Sequence, residues 1–247
     1  RFILVHMNKY NYKLYGAILG DLSGQPHEFP AKGGPIENVV LHNPNGHFTD
    51  DTLMTLATAN FLLGKHETIE EAYKDMGKRY VGDYYGKGFK EWIYTPMGTI
   101  GKSWGNGCIM RISPFMYENP NYLFRVLTSA MCSHRDPVSI DSVGKLFVTY
   151  KLGLPKTYTK IVPFKKFEVK ADATVDFCIN LTAQIKGTQN CIVKAIEQGG
   201  DTDTNASICG ELSNFFNQDI TEEDVKFVES KLDGYLLSIL NEYNEKY

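Results

Sequence analysis

Two short acidic segments carry the strongest chemical signal in the sequence. The first, Thr49-Asp50-Asp51-Thr52, follows Phe48 and directly precedes an apolar stripe that begins at Leu53. The second, Asp201-Thr202-Asp203-Thr204, follows Gly199-Gly200 and opens a helical-looking stretch through Ala206, Ile208, Cys209 and Leu212. Each has a structural reading on its own, since Asp and Thr are favoured N-caps and negative charge suits the positive end of a helix. Together they offer two sets of hard oxygen ligands of the kind that Mg²⁺ or Mn²⁺ takes, with no soft ligand suited to zinc. Their four carboxylates, drawn together, would repel one another and hold protons to unusually high pH unless a cation neutralised them. The Asp-x-Asp spacing differs from a calcium loop, because the glycine and the distal glutamate of an EF-hand are missing.

Three further segments have chemical potential. Gly16 to Gly24 (GAILGDLSG) runs on into Gln25-Pro26-His27-Glu28. Gly105 to Pro114 (GNGCIMRISP) is a glycine-rich turn that leads to Arg111. Ser133-His134-Arg135-Asp136-Pro137 sets a histidine at a helix end. Glycine-rich backbone amides can hold a diphosphate. The turn lacks the lysine of a P-loop and the spacing of a dinucleotide fingerprint, so neither motif is present. Arg111 alone reads equally as a buried structural arginine, and His134 as a helix C-cap or a satisfied core histidine.

The elements that must position these groups are helical. Tyr15, Ile18, Leu19 and Leu22 form one apolar stripe before a Gly24/Pro26 break. Leu53, Leu56, Ala57, Asn60 and Leu63 form another, stopped by Gly64. Thr221 reads as an N-cap with Asp224 three residues on, a variant of the capping box. Val225, Val228, Leu232, Tyr235, Leu236, Ile239 and Leu240 then suggest one long C-terminal amphipathic helix. The best strand-like run is Ile161 to Val169, weakened by Pro163. A mostly α protein is expected, with long loops at Pro26–Phe48 and Gly82–Pro114, of a length that is usually functional.

Composition narrows the function classes. The 247 residues are 43% hydrophobic and 22% charged with a net charge of −3, ordinary for a folded protein and giving no sign of a general nucleic-acid surface. The five cysteines form no Cys-x-x-Cys pair and are odd in number, which points to reduced thiols and a cytoplasmic setting. No apolar run approaches the roughly 20 residues needed to span a bilayer. A single domain over 7–247 is expected, with residues 1–6, ahead of Met7, a leader carried over from expression or disordered.

Taken in order, these segments resemble the ADP-ribosylglycohydrolase family, which includes the dinitrogenase reductase-activating glycohydrolases and the ADP-ribosylarginine hydrolases. The resemblance rests on Gly20 to Glu28, Thr49 to Met54, Gly105 to Arg111, Ser133 to Pro137 and Gly199 to Thr204. It implies an all-α, compact orthogonal helical bundle whose cleft holds two Mg²⁺ (or Mn²⁺) ions. The implied metal ligands are Thr49, Asp50, Asp51, Asp201, Asp203 and Thr204, with Glu28 a further carboxylate beside them. Gly105, Asn106, Gly107, Met110 and His134 are implied to line an ADP-ribose pocket. Asp83 and Tyr85, in a stretch that aligns poorly, are carried over as substrate contacts. The stretch after Gly210 (ELSNFFNQDI) departs from the family's glycine-proline pattern, which bears on the pocket rim.

The function so implied is removal of ADP-ribose from modified side chains, arginine foremost, by a monomer acting on an ADP-ribosylated protein or conjugate. Asp50, Asp51 or Glu28 would accept the proton of the attacking water. The alternatives are another linkage (serine, O-acetyl or nucleic acid), an inactive ADP-ribose-binding module, or a structural protein that keeps the fold.

Overall fold

Gly16, Gly20 and Gly24 recur at helical spacing along one face of helix α1 (Tyr15–Gly24). A Cβ on them would stand 2.5, 2.2 and 2.4 Å from the backbone oxygens of Gly210, Ala206 and Thr202. Those residues belong to α10 (Thr202–Asn217), so the two helices meet backbone to backbone and no side chain fits between them. The first glycine-rich segment is therefore a helix-packing face and not an anion-binding turn.

The computed structural model describes residues 12–28, 33–118 and 123–247, so the leader expected at 1–6 lies outside the described residues. The other helices are α2 (Asp50–Leu62), α3 (Ile69–Arg79), α4 (Lys87–Trp92), α5 (Ser113–Glu118), α6 (Leu123–Met131), α7 (Pro137–Leu152), α8 (Ala171–Thr182), α9 (Thr188–Glu197), α11 (Glu222–Lys231) and α12 (Gly234–Lys246). The fold is all-α: the described residues hold no strand, only isolated bridges between Lys102 and His134 and between Gly105 and Lys170. None of their helices is long and apolar enough to cross a membrane.

The central helices are buried all round. Every residue of α1 is buried, and so is every residue of α2 from Asp51 to Asn60. Their apolar stripes are thus parts of fully enclosed helices, as expected of elements at the middle of a bundle. Helices α1, α2 and α10 share one apolar core with α9, α12 and the segment from Cys108 to Met116.

Three expectations need correction. The long C-terminal helix is two helices, because Leu232 is extended and Asp233 caps α12 by accepting from the amides of Tyr235 and Leu236. Ile161 to Val169 is not a strand, as Pro163 warned. It is a strap held by single bonds, Phe164 N to Gln198 O and Asn106 N to Val169 O, both 2.8 Å. Gly82–Pro114 is not one long loop, since it contains α4, a 3₁₀ turn at Asn106–Cys108 and the start of α5. The capping box at Thr221 and Asp224 is present as read, and all five cysteines are free.

Candidate metal centre and its cavity

The first acidic segment is held by a carboxylate that does not belong to it. Asp21 of α1 is fully buried. Its Oδ2 accepts from the amides of Thr49 (2.9 Å) and Thr52 (3.1 Å) and from the Thr52 hydroxyl (2.5 Å), while Oδ1 accepts from the Thr49 hydroxyl at 2.8 Å. Thr49 is the N-cap of α2, its Oγ1 accepting weakly from the Asp51 amide at 3.4 Å. Capping is thus carried by Thr49 and Asp21, which leaves Asp50 and Asp51 for other work. Asp21 was not singled out as a site residue, and its signal was its place in the Gly20-Asp21 pair of the first glycine segment.

The second segment is aimed by its glycines. Gly199 and Gly200 take φ of +74° and +80°, the left-handed region that glycine alone enters without strain. A Cβ on Gly199 would lie 2.2 Å from Gly34 O. The chain so turned leads into α10 with Asp201 at the N-cap position, whose side chain makes no cap and instead accepts from Asn106 Nδ2 at 2.7 Å.

The two segments meet. Thr204 Oγ1 donates to Asp51 Oδ2 at 2.9 Å. Carboxylate oxygens of Glu28, Asp201 and Asp203 lie within 4.8 Å of one another. The N-termini of α2 and α10 both point into this cluster, so helix dipoles partly offset its charge. The offset is incomplete. Burial first, then repulsion from Asp203 and Asp21, hold Asp50 and Asp51 well above the usual carboxylate range. Asp203 is also pushed well up, by burial and then Asp201. Glu28 is raised to about 8 by burial, Asp203 and Asp21. Asp201 is raised to about 6, chiefly by burial, with Asn106 opposing.

The donor set fits hard divalent cations. It is oxygen only, and Asp51 Oδ1 is buried without a hydrogen-bond partner, a costly state for a carboxylate oxygen unless a cation faces it. Thr49 Oγ1 gives its proton to Asp21, which leaves lone pairs on that oxygen.

The cluster forms one wall of a cavity of about 750 Å³, within the range of small-molecule sites. Glu28, Asp50, Asp201, Asp203 and Thr204 line it, whereas Thr49 and Asp51 do not. Of the residues expected to bind substrate, Gly105, Asn106, Gly107, Met110, His134, Asp83 and Tyr85 all line it as well. Tyr85 is buried against Phe89 with its hydroxyl unpartnered. Asp83 is exposed and paired with Lys90 at 3.0 Å. Arg111, Ser133, Trp92, Trp104 and Phe167 complete much of the lining and were not assigned from sequence. The stretch after Gly210 does not reach the rim. Glu211 is buried in α10 and accepts from the amides of Leu14 (3.1 Å) and Ala17 (3.0 Å), capping α1.

Residues 7–153 match a family model described as ADP-ribosylglycohydrolase. A solved structure described as an ADP-ribosylglycohydrolase-related protein complex is similar in fold, with a TM-score of 0.66 and 18% identity over 96% of this chain and 99% of that one. No curated protein matches the chain. The family match ends at residue 153, before the second acidic segment.

Proposed function

The chain belongs to the ADP-ribosylglycohydrolase family, and from that premise we propose that it is a metal-dependent hydrolase that removes ADP-ribose from modified side chains, arginine foremost, by cutting the glycosidic bond at C1″. The observation that carries this reading is the meeting of Asp51 with Thr204 behind a cavity wall formed by Glu28, Asp50, Asp201 and Asp203. The proposed ligands are Thr49, Asp50, Asp51, Asp201, Asp203 and Thr204. Two Mg²⁺ or Mn²⁺ ions held by them would supply Lewis acidity toward ligand oxygens and water.

Glu28 and Asp50 face the cavity, which supports them as acceptors of the proton from the attacking water. Asp51 lies behind that wall, which supports an inner ligand role. Water oxygen bonds to C1″, the bond from C1″ to the carrier breaks, and the carrier atom leaves with a proton. Asn106 orients Asp201. The unpartnered Tyr85 hydroxyl would donate to bound ligand. Asp83, at the mouth, would exchange Lys90 for a substrate guanidinium, and this exchange favours arginine.

The same Asp83–Lys90 pair supports a second reading. A carboxylate already neutralised by lysine suits a carrier without a cation, as in serine, O-acetyl or nucleic-acid linkages. Residues 7–247 are taken as one domain, supported by the shared core and by a fold likeness that spans nearly the whole chain. Incubation with arginine-, serine-, O-acetyl- and nucleic-acid-linked ADP-ribose, with Mg²⁺ or Mn²⁺ and with EDTA, tests the proposal. Metal-dependent release of ADP-ribose from the arginine conjugate is expected. Turnover of none of the four overturns hydrolase function.

A further inference from the structure

Arg111 is a buried cation with no ion pair among the described residues. It is 1% exposed, its guanidinium lies 3.9 Å from the centre of the Tyr73 ring, and Nη2 donates to Ser129 O at 3.0 Å and to Ser133 Oγ at 2.6 Å. Ser133 Oγ stands in turn 2.8 Å from His134 Nδ1. The three side chains form one row that ends at the cavity wall.

We propose that Arg111 and Ser133 are positioning residues that fix His134 in the Nε2–H tautomer, so that a neutral imidazole donates a hydrogen bond to an oxygen of the bound ligand. This deepens, and rests on, the reading of the cavity as an ADP-ribose site. A guanidinium only donates, so Ser133 Oγ must accept from Arg111. The serine hydrogen then needs an acceptor, and His134 Nδ1 is at hydrogen-bond distance. The opposite arrangement, Nδ1–H donating to Oγ, would leave that hydrogen only the thiol sulfur of Cys132, a weak acceptor, at a position 4% exposed, which is costly beside a bond to an imidazole nitrogen. Nδ1 therefore accepts and Nε2 carries the proton. Burial, and then the charge of Arg111, hold the imidazole well below its ordinary pKa, in keeping with a neutral ring.

Nε2 is open to the cavity because residue 107 is glycine. A Cβ there would stand 3.3 Å from Nε2, and Nε2 makes no hydrogen bond to any described residue. The ring is rooted by its own amide, which donates to Ala130 O at 2.8 Å, and by Arg135 N, which donates to Gly101 O at 3.3 Å. The donor is thus set in place before ligand arrives.

Long-range ¹H–¹⁵N spectra of the ¹⁵N-histidine-labelled protein test the proposal, with His134 assigned by its loss in His134→Gln. Nδ1 is expected to resonate as an unprotonated, pyridine-type nitrogen and Nε2 as a protonated one. In Ser133→Ala the two should move toward an averaged tautomer mixture, and Ser133→Thr should restore them. Calorimetry with ADP-ribose should show Kd raised about 10-fold in Ser133→Ala, the worth of one hydrogen bond, and largely recovered in Ser133→Thr. A protonated Nδ1 in the wild-type spectrum overturns the proposal even if Ser133→Ala fails to fold. Unchanged spectra in a folded Ser133→Ala overturn it too. If the spectra are as expected but the wild-type protein binds no ADP-ribose, the cavity reading fails, and with it the ligand contact of Nε2.

Discussion

The hydroxyl of Thr204 donates to Asp51 at 2.9 Å, joining residues 153 positions apart in the chain. That bond is where the N-termini of α2 and α10 meet. It depends on α1, whose glycines let α10 approach and whose Asp21 grips the start of α2.

Asparagine at Asp50 or Asp203 keeps the shape and removes a charge. Either variant should lower ADP-ribosyl hydrolysis by more than the roughly 100-fold typical of losing an outer partner of a metal site. Metal affinity, read by calorimetry, should fall with it, while far-ultraviolet dichroism stays unchanged. Wild-type rates in either variant would refute the assignment.

Asp21 does not line the cavity, yet it is expected to matter in two ways. Asp21→Ala strands the amides and hydroxyls of Thr49 and Thr52 in the interior, which should cost about 3 kcal/mol in urea unfolding. Asp21→Asn keeps an acceptor oxygen and should cost less. Both should weaken metal binding by about 10-fold or more, because Asp21 holds Thr49 and the start of α2 in place behind the cluster.

The glycine face makes a steric prediction. Gly20→Ala places a methyl group 2.2 Å from Ala206 O, and only backbone movement relieves it. Stability should fall by at least about 1–3 kcal/mol. Gly144→Ala, inside α7 with nothing within 4 Å, is the control and should raise stability by up to about 1 kcal/mol. Equal melting temperatures for the two variants would contradict the packing described.

Metal and pH are expected to act together on stability. Folded carboxylates here hold protons that an unfolded chain releases near pH 4, with Asp201 near 6, Glu211 near 7 and Glu28 near 8. The folded state thus binds more protons across this window, so stability of the metal-free protein should be greatest below about pH 4 in this respect and fall as pH rises through 6 to 8. Mg²⁺ or Mn²⁺ should raise the melting temperature more at pH 8 than at pH 5. A metal shift equal at both, followed by calorimetry, would count against the cluster as the binding site.

What was legible in the sequence was local or carried by motif. The capping box at Thr221 depends on neighbours three residues apart. The break at Asp233 escaped because Leu232, Tyr235 and Leu236 keep a helical spacing across it, although Asp233-Gly234 was there to be read. Asp21, Glu211 and the row from Arg111 to His134 escaped for another reason. Their meaning lies in partners that folding supplies, Thr49 and Thr52 for Asp21, Leu14 and Ala17 for Glu211, and Ser133 for Arg111.

Anomalous diffraction from crystals soaked in Mn²⁺ tests the central claim most directly. The expected result is two manganese peaks between the Thr49–Asp51 and Asp201–Thr204 segments, each at bonding distance from their oxygens and both lost in Asp203→Asn. No peak at this cluster, or manganese bound only elsewhere on the protein, would contradict it.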